Sequence, residues 1–216
     1  MHSIITGLKS IILISTNPRT ICYNCYRPKT SCMCPYITPI ETNTRFVILM
    51  HPKEFRKTKN GTGHFTNLSL KKCEIFVGID FSEHTEINEM IEHPDNNCFV
   101  LYPSEKSINL NKEYIGNDSK NTVLFLIDST WPCSRAILNA SPNIDALKKV
   151  SFTHTKSSAF TFKEQPQAYC LSTMESTLCV LELLNQHQLE DISTHALKHF
   201  LKPFHKMVEY QLSCAL

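Results

Sequence analysis

Five short apolar runs, each closed by a polar or turn-forming residue, constrain this chain more than any other feature. They are RFVILMHP (45–52), KCEIFVGIDF (72–81), NCFVLYPSE (97–105), TVLFLIDSTW (122–131) and KKVSFTHT (148–155). Their β-branched and aromatic content suits strands, and their near-continuous hydrophobicity leaves no face for water. Strands of that kind belong in a parallel sheet covered on both sides. Helix-like stretches lie between and after them. SEHTEINEMIEH opens with Ser82 as the expected N-cap. STMESTLCVLELLNQ offers Ser172 or Thr173 as cap, with Glu175 in the first turn. ALKHFLKPFHKMVEYQL is amphipathic, and Pro203 must kink or break it. Strands alternating with helices predict an α/β fold.

At 216 residues and 42% apolar content the chain can bury a core as one domain plus a small module. A net charge of +2 supplies no bulk attraction to nucleic acid, so any such partner needs a local basic patch. The opening MHSIITGLKSIILIS has an apolar run, Ile11 to Ile14, that is too short to span a bilayer and lacks a small-residue cleavage site. The expectation is a cytoplasmic protein with no membrane association, whose thiols stay reduced or bind metal.

Cysteine placement sharpens that point. Of ten cysteines, Cys22, Cys25, Cys32 and Cys34 fall within CYNCYRPKTSCMC. Two close pairs across a short basic loop suit one tetrahedral Zn(II). A redox C-x-x-C or two disulfides would be the competing readings. Four thiolates leave no open coordination position, so the expected zinc is structural. The other six cysteines stand singly in apolar surroundings and read as small buried hydrophobes. PYITPIETNT follows Cys34 and reads as a linker, so the expected division is a zinc module at 17–40 and a second domain at 41–216.

In open parallel sheets, ligands gather beyond the carboxyl ends of the strands. The polar exits of the runs therefore become facing loops: His51-Pro52, Tyr102-Pro103-Ser104 and Asp128 to Trp131, with Leu171 to Glu175 joining them from a helix start. The third holds the chain's one Trp. Pattern alone leaves two readings of it open. Either Asp128 and Trp131 form a site loop, or Trp131 anchors the core and Asp128 caps the helix of PCSRAILNA.

Taken in order, these residues resemble the DTW-domain family. Its Asp-x-Thr-Trp motif stands here as Asp128-Ser129-Thr130-Trp131. Arg19 precedes the paired cysteines. His51-Pro52-Lys53-Glu54, Thr62-Gly63, Leu101-Tyr102-Pro103 and Ser172-Thr173-Met174-Glu175 follow in the family's order, over roughly residues 19 to 185. The resemblance implies a tRNA-uridine aminocarboxypropyltransferase, which moves the 3-amino-3-carboxypropyl group of S-adenosylmethionine to N3 of a tRNA uridine and releases 5′-methylthioadenosine. It also implies a SPOUT-like fold with a C-terminal trefoil knot, and a small zinc-ribbon-like module at the N-terminal side. Where members often carry an Arg before Ser-Thr-x-Glu, this chain reads FTFKEQP; Lys163 is a point charge and cannot copy a bidentate fork.

With that resemblance, Asp128 becomes the candidate for removing or sharing the N3 proton, its rival role being to orient the cofactor's ammonium. Trp131 packs on cofactor or base. Thr130, Ser172 and Thr173, with Glu175 beside them, suit the cofactor's carboxylate end. Leu101, Tyr102, Pro103 and Leu171 line the adenine slot. His51, Lys53, Arg56, Lys57, Lys59 and Lys163 are expected to meet tRNA, with Arg27, Lys29, Lys71 and Lys72 as further basic residues. The target base must be unstacked before its N3 edge can be reached, so a loop uridine is expected. Two alternatives stand beside this reading: a SPOUT-type RNA methyltransferase, and a non-catalytic zinc-ribbon RNA-binding protein.

Overall fold

A computed structural model describes residues 20–56, 61–116, 120–154 and 171–214. Six strands form one sheet: β1 (Arg45–Met50), β2 (Cys73–Val77), β3 (Asn96–Leu101), β4 (Ile108–Asn109), β5 (Asn121–Asp128) and β6 (Lys148–Ser151). Their order is β2-β1-β5-β3-β6-β4, and every pairing is parallel. All five apolar runs became strands. The sixth, β4, is two residues long, too short to leave a pattern.

Alternation along the central strands explains why the runs read as continuous. Phe46, Ile48 and Met50 of β1, with Leu124 and Leu126 of β5, face one side; Val47 and Leu49, with Val123 and Phe125, face the other. The second side is covered by α3 (Thr85–Glu92), α4 (Trp131–Ala140) and α5 (Pro142–Asp145), through Ile87, Ile137 and Ile144. The first side is covered by α6 (Thr173–Gln186), α7 (Thr194–Phe200) and α8 (Lys202–Ser213). Both faces are dry, which is the condition for an all-parallel sheet.

Helix starts follow local hydrogen bonding. Ser172 accepts from the Glu175 amide while Glu175 accepts from the Ser172 amide, a complete capping box for α6. Ser82 does not cap α3. Its amide and hydroxyl both donate to Asp80, and the helix begins only after His84. The last amphipathic stretch is two helices that part at Leu201, with Pro203 in the first turn of α8, where its missing N–H costs nothing.

The segment 35–44 is fastened down rather than loose. Ile40 bridges to Leu70, and Glu190 accepts from the amides of Asn43 and Thr44 at 2.7 and 2.8 Å. Cys25 and Met33 belong to the same apolar cluster as Phe46 and Phe204. The expected knot depends on the path between β6 and α6, and residues 155–170 of that path lie outside the described residues. No described helix is long and apolar enough to cross a membrane.

Candidate active site

β5 ends in Asp128, and the scattered motifs meet there. The His51 amide donates to the Asp128 carbonyl at 3.1 Å. The Thr173 hydroxyl, at the start of α6, donates to the Asp128 carboxylate at 2.6 Å. From a third direction comes Gly63, in α2 (Thr62–Ser69). A Cβ built on Gly63 would sit 2.2 Å from Asp128 Oδ2 and 2.8 Å from Met50 Cε. The Thr-Gly pair is therefore a close approach of helix backbone to carboxylate, which any side chain would block. Asp128 is 8% exposed. It does not cap α4, whose N-cap position is Thr130.

Gly63→Ala is expected to force the carboxylate away from Thr173, because neither the short Asp128 side chain nor the strand end beneath it can retreat. Overpacking of this kind costs about 1–3 kcal/mol, or roughly 2–12 °C in melting temperature for a chain of this size. Thermal denaturation checks the stability. Turnover of the variant should fall further than any loss of folded protein explains, and wild-type melting with wild-type turnover would show the contact to be harmless.

Beside Asp128, at the carboxyl end of the strand, opens a cleft of about 840 Å³. Leu126, Ile127 and Ser129 line it at and just beyond the end of β5. Leu101, Tyr102 and Pro103 line it from the end of β3, Trp131 from the start of α4, and Leu171 and Thr173 from the start of α6. Trp131 is 46% exposed and meets Tyr102 edge-on at 6.0 Å, so it is a wall of the cleft and not a core anchor. The size suits a drug-sized or nucleoside-sized ligand.

Thr130, Ser172 and Glu175 stand at the helix starts around this cleft without lining it. Glu175 is buried, with its carboxylate in the capping box. His51 is buried too, and its Nδ1 accepts from the Lys53 amide at 3.1 Å, capping α1 (Pro52–Phe55). Lys53 and Arg56 are exposed. Lys57, Lys59 and Lys163 lie outside the described residues. Arg27 is only 3% exposed, and its Nε donates to the Ser31 carbonyl at 2.9 Å; it is a structural residue, not a surface cation for RNA.

Sequence reasoning missed Arg135, and with it Ser151, Thr153 and His154, all of which line the cleft. Signals for them existed. Arg135 is four residues after Trp131, on the same helix face. The other three form the polar exit of β6, to which the carboxyl-end rule applies as it does to the other strands.

The four clustered cysteines also come together. Their sulfurs lie within 4.8 Å of one another, with Cys22–Cys34 and Cys25–Cys32 each at 3.7 Å. A tetrahedron of Zn–S bonds of about 2.3 Å has edges of about 3.8 Å, so the set is compatible with one zinc. The amides of Cys25 and Asn24 bring the Cys22 thiol down to about 6, while burial pushes Cys34 up to about 12. Amides donating to sulfur are the groups that orient thiolates at a metal. All nine described cysteines are free of disulfides.

The DTW domain family matches residues 19–212. Among curated proteins, tRNA-uridine aminocarboxypropyltransferase 2 of Drosophila melanogaster is 30% identical over 204 residues, covering 91% of this chain and 76% of that protein. The protein of the same name from Mus musculus is 25% identical over 209 residues, covering 95% of this chain and 68% of its own length. No solved structure matches the chain. Because the family match runs from just ahead of the clustered cysteines into α8 and takes in every motif gathered at the end of β5, the chain belongs to the DTW-domain family.

Proposed function

We propose that this protein transfers the 3-amino-3-carboxypropyl group of S-adenosylmethionine to N3 of a tRNA uridine in the cytoplasm. The observation that carries the reading is the convergence of His51, Gly63, Thr173 and the Asp128–Trp131 loop on one strand end beside a cleft of co-substrate size. The names of the relatives supply the reaction class, aminocarboxypropyl transfer to tRNA uridine.

In the transfer, a bond forms between uridine N3 and the methionine Cγ, and the bond from Cγ to sulfur breaks. The electron pair leaves with 5′-methylthioadenosine. N3 carries a proton until it reacts, and Asp128 takes it. The Thr173 hydroxyl holds that carboxylate in one orientation, while the Gly63 backbone excludes a side chain from its far edge. General-base help of this kind is worth about a hundredfold to ten-thousandfold. The cleft must present Cγ, and not the methyl carbon, to the uridine, and positioning of this sort lowers a barrier by several kcal/mol. Leu101, Tyr102, Pro103 and Leu171 hold the adenosine, and Trp131 closes one wall against it. Arg135 and the first amides of α4 and α6, with Thr130, Ser172 and Glu175 setting the helix starts, receive the methionine carboxylate. Exposed Lys53 and Arg56, continuing into Lys57 and Lys59, meet tRNA phosphates, and His51 fixes the turn that carries them. Lys163 supplies a further cation toward the RNA.

Cys22, Cys25, Cys32 and Cys34 hold one Zn(II) in a structural role, and 17–40 is the module it organises. Product analysis tests the reaction directly. Protein incubated with S-adenosylmethionine and tRNA should release 5′-methylthioadenosine and leave an aminocarboxypropyl-uridine on the RNA. Release of S-adenosylhomocysteine would make it a methyltransferase instead. Absence of any co-substrate binding would make it a zinc-ribbon RNA-binding protein.

A further inference from the structure

A second cleft, of about 570 Å³, lies between the cysteine knuckle, α1, α2 and the edge strand β2. It shares no lining residue with the cleft beside Asp128. Three rings gather in it. Tyr26 and Phe55 stand 5.3 and 5.5 Å from His64 and 6.5 Å from each other. Tyr23 rims it and is 91% exposed, while Tyr26 and Phe55 remain 45% and 42% exposed. Aromatic surface left open to this extent is unusual unless something covers it.

Two polar atoms in the same place lack partners. His64 Nε2 and Asn67 Oδ1 are buried with no hydrogen bond among the described residues, and both residues line the cleft. They are three apart on α2 and so share a helix face. His64 is only 7% exposed, and burial lowers the pKa of its imidazole. An unsatisfied buried polar atom costs about 1–3 kcal/mol, which points to a ligand that completes it. Tyr26 carries a cost as well. It takes φ +56°, a conformation that glycine would adopt without strain, yet the position holds a ring that faces His64.

We propose that this cleft binds one unstacked nucleobase of the substrate tRNA, distinct from the target uridine. Flat faces stack on Tyr23, Tyr26 and Phe55, and the edge of the base meets His64 and Asn67. Carboxylates of Glu74 and Glu86 also line the cleft, and Glu74 is paired with Arg45 at 2.7 Å. They keep phosphate out and suit base amino groups, so the backbone runs outside, along the exposed Lys53 and Arg56. Gly63, which backs onto Asp128, and His64, which faces this cleft, are adjacent in α2. Two bases of one loop can therefore be held against different faces of a single helix start. The inference rests on the proposed tRNA substrate.

The test is the affinity of the full-length protein for total tRNA of the source cell, measured over a salt series, with calorimetric S-adenosylmethionine binding alongside. The variants are Tyr23→Ala, its double with Phe55→Ala, and Tyr23→Phe. Loss of base stacking should weaken tRNA binding about fivefold to 150-fold in the double variant. The salt slope, co-substrate affinity and melting temperature should stay as in wild type, and Tyr23→Phe should bind normally. Unchanged tRNA affinity in the double variant, with wild-type protein still forming the modified uridine, overturns the pocket alone. A loss accompanied by a shallower salt slope would assign the rings to a phosphate contact and overturn it too. Wild-type protein that binds no tRNA overturns both the pocket and the proposed function.

Discussion

Asp128→Asn should bind S-adenosylmethionine within a few-fold of wild type and lose at least about a hundredfold in single-turnover transfer to tRNA. The substitution keeps the size of the side chain and can keep the Thr173 hydrogen bond, because the amide oxygen still accepts from the hydroxyl. It removes the charge and the basicity. A group buried to 8% exposure and held by a helix-start hydroxyl has little freedom to be replaced by water. Calorimetry beside single-turnover kinetics separates the two roles a carboxylate can play at this point. If co-substrate affinity collapses, Asp128 anchors the ammonium; if transfer proceeds normally, the acid is outside the chemistry.

Removing the proposed zinc should unfold the N-terminal side of the molecule. Cys25 is 2% exposed and packs with Met33 and Ile40 in the cluster that also holds Phe46. Arg27 is buried too; burial lowers its pKa, and the charge of Cys25, Tyr210 and Cys32 opposes that shift. Protonated thiols would remove that share of its favourable charge environment, and weakening a buried charge pairing costs up to about 3–5 kcal/mol. Cys25→Ser, or wild type stripped by a chelator, is therefore expected to melt about 6–20 °C lower. Purified protein should contain about one zinc per chain. Turnover per folded molecule should change far less than the yield of folded protein, since the thiols stand apart from the cleft beside Asp128. A metal-free preparation that melts and turns over like wild type would end the structural-zinc reading.

How far the site could be read in advance differs from residue to residue. Leu101, Tyr102, Pro103, Trp131, Leu171 and Thr173 all reached the cleft, because strand exits and helix starts in a parallel sheet fall on one edge. Ser172 and Glu175 were visible as a capping box, and that is the bonding they make. Arg27 was misread because a basic residue in a polar loop ordinarily faces solvent; here the chain folds its guanidinium onto Ser31 and toward Phe65, 6.0 Å from the ring centroid. Ser82 was misread because Asp80, two residues earlier, competes for the same hydroxyl.

By itself the sequence determined the strands, their parallel pairing, the cysteine cluster and the family motifs. These depend on side-chain periodicity, ligand type and short spacing, all of which are local. Tertiary structure alone decided the strand order β2-β1-β5-β3-β6-β4, and with it the meeting of Gly63, Asp128 and Thr173. It also decided that the Asp128 carboxylate meets Thr173 at the rim of a cleft lined by Leu126, Ile127 and Ser129, and that His64 Nε2 and Asn67 Oδ1 are left without hydrogen-bond partners among exposed rings. Contacts between residues 45 or 65 positions apart have no local signature. They arise from which strand lies beside which, and that is settled by burying two whole faces of a sheet at once.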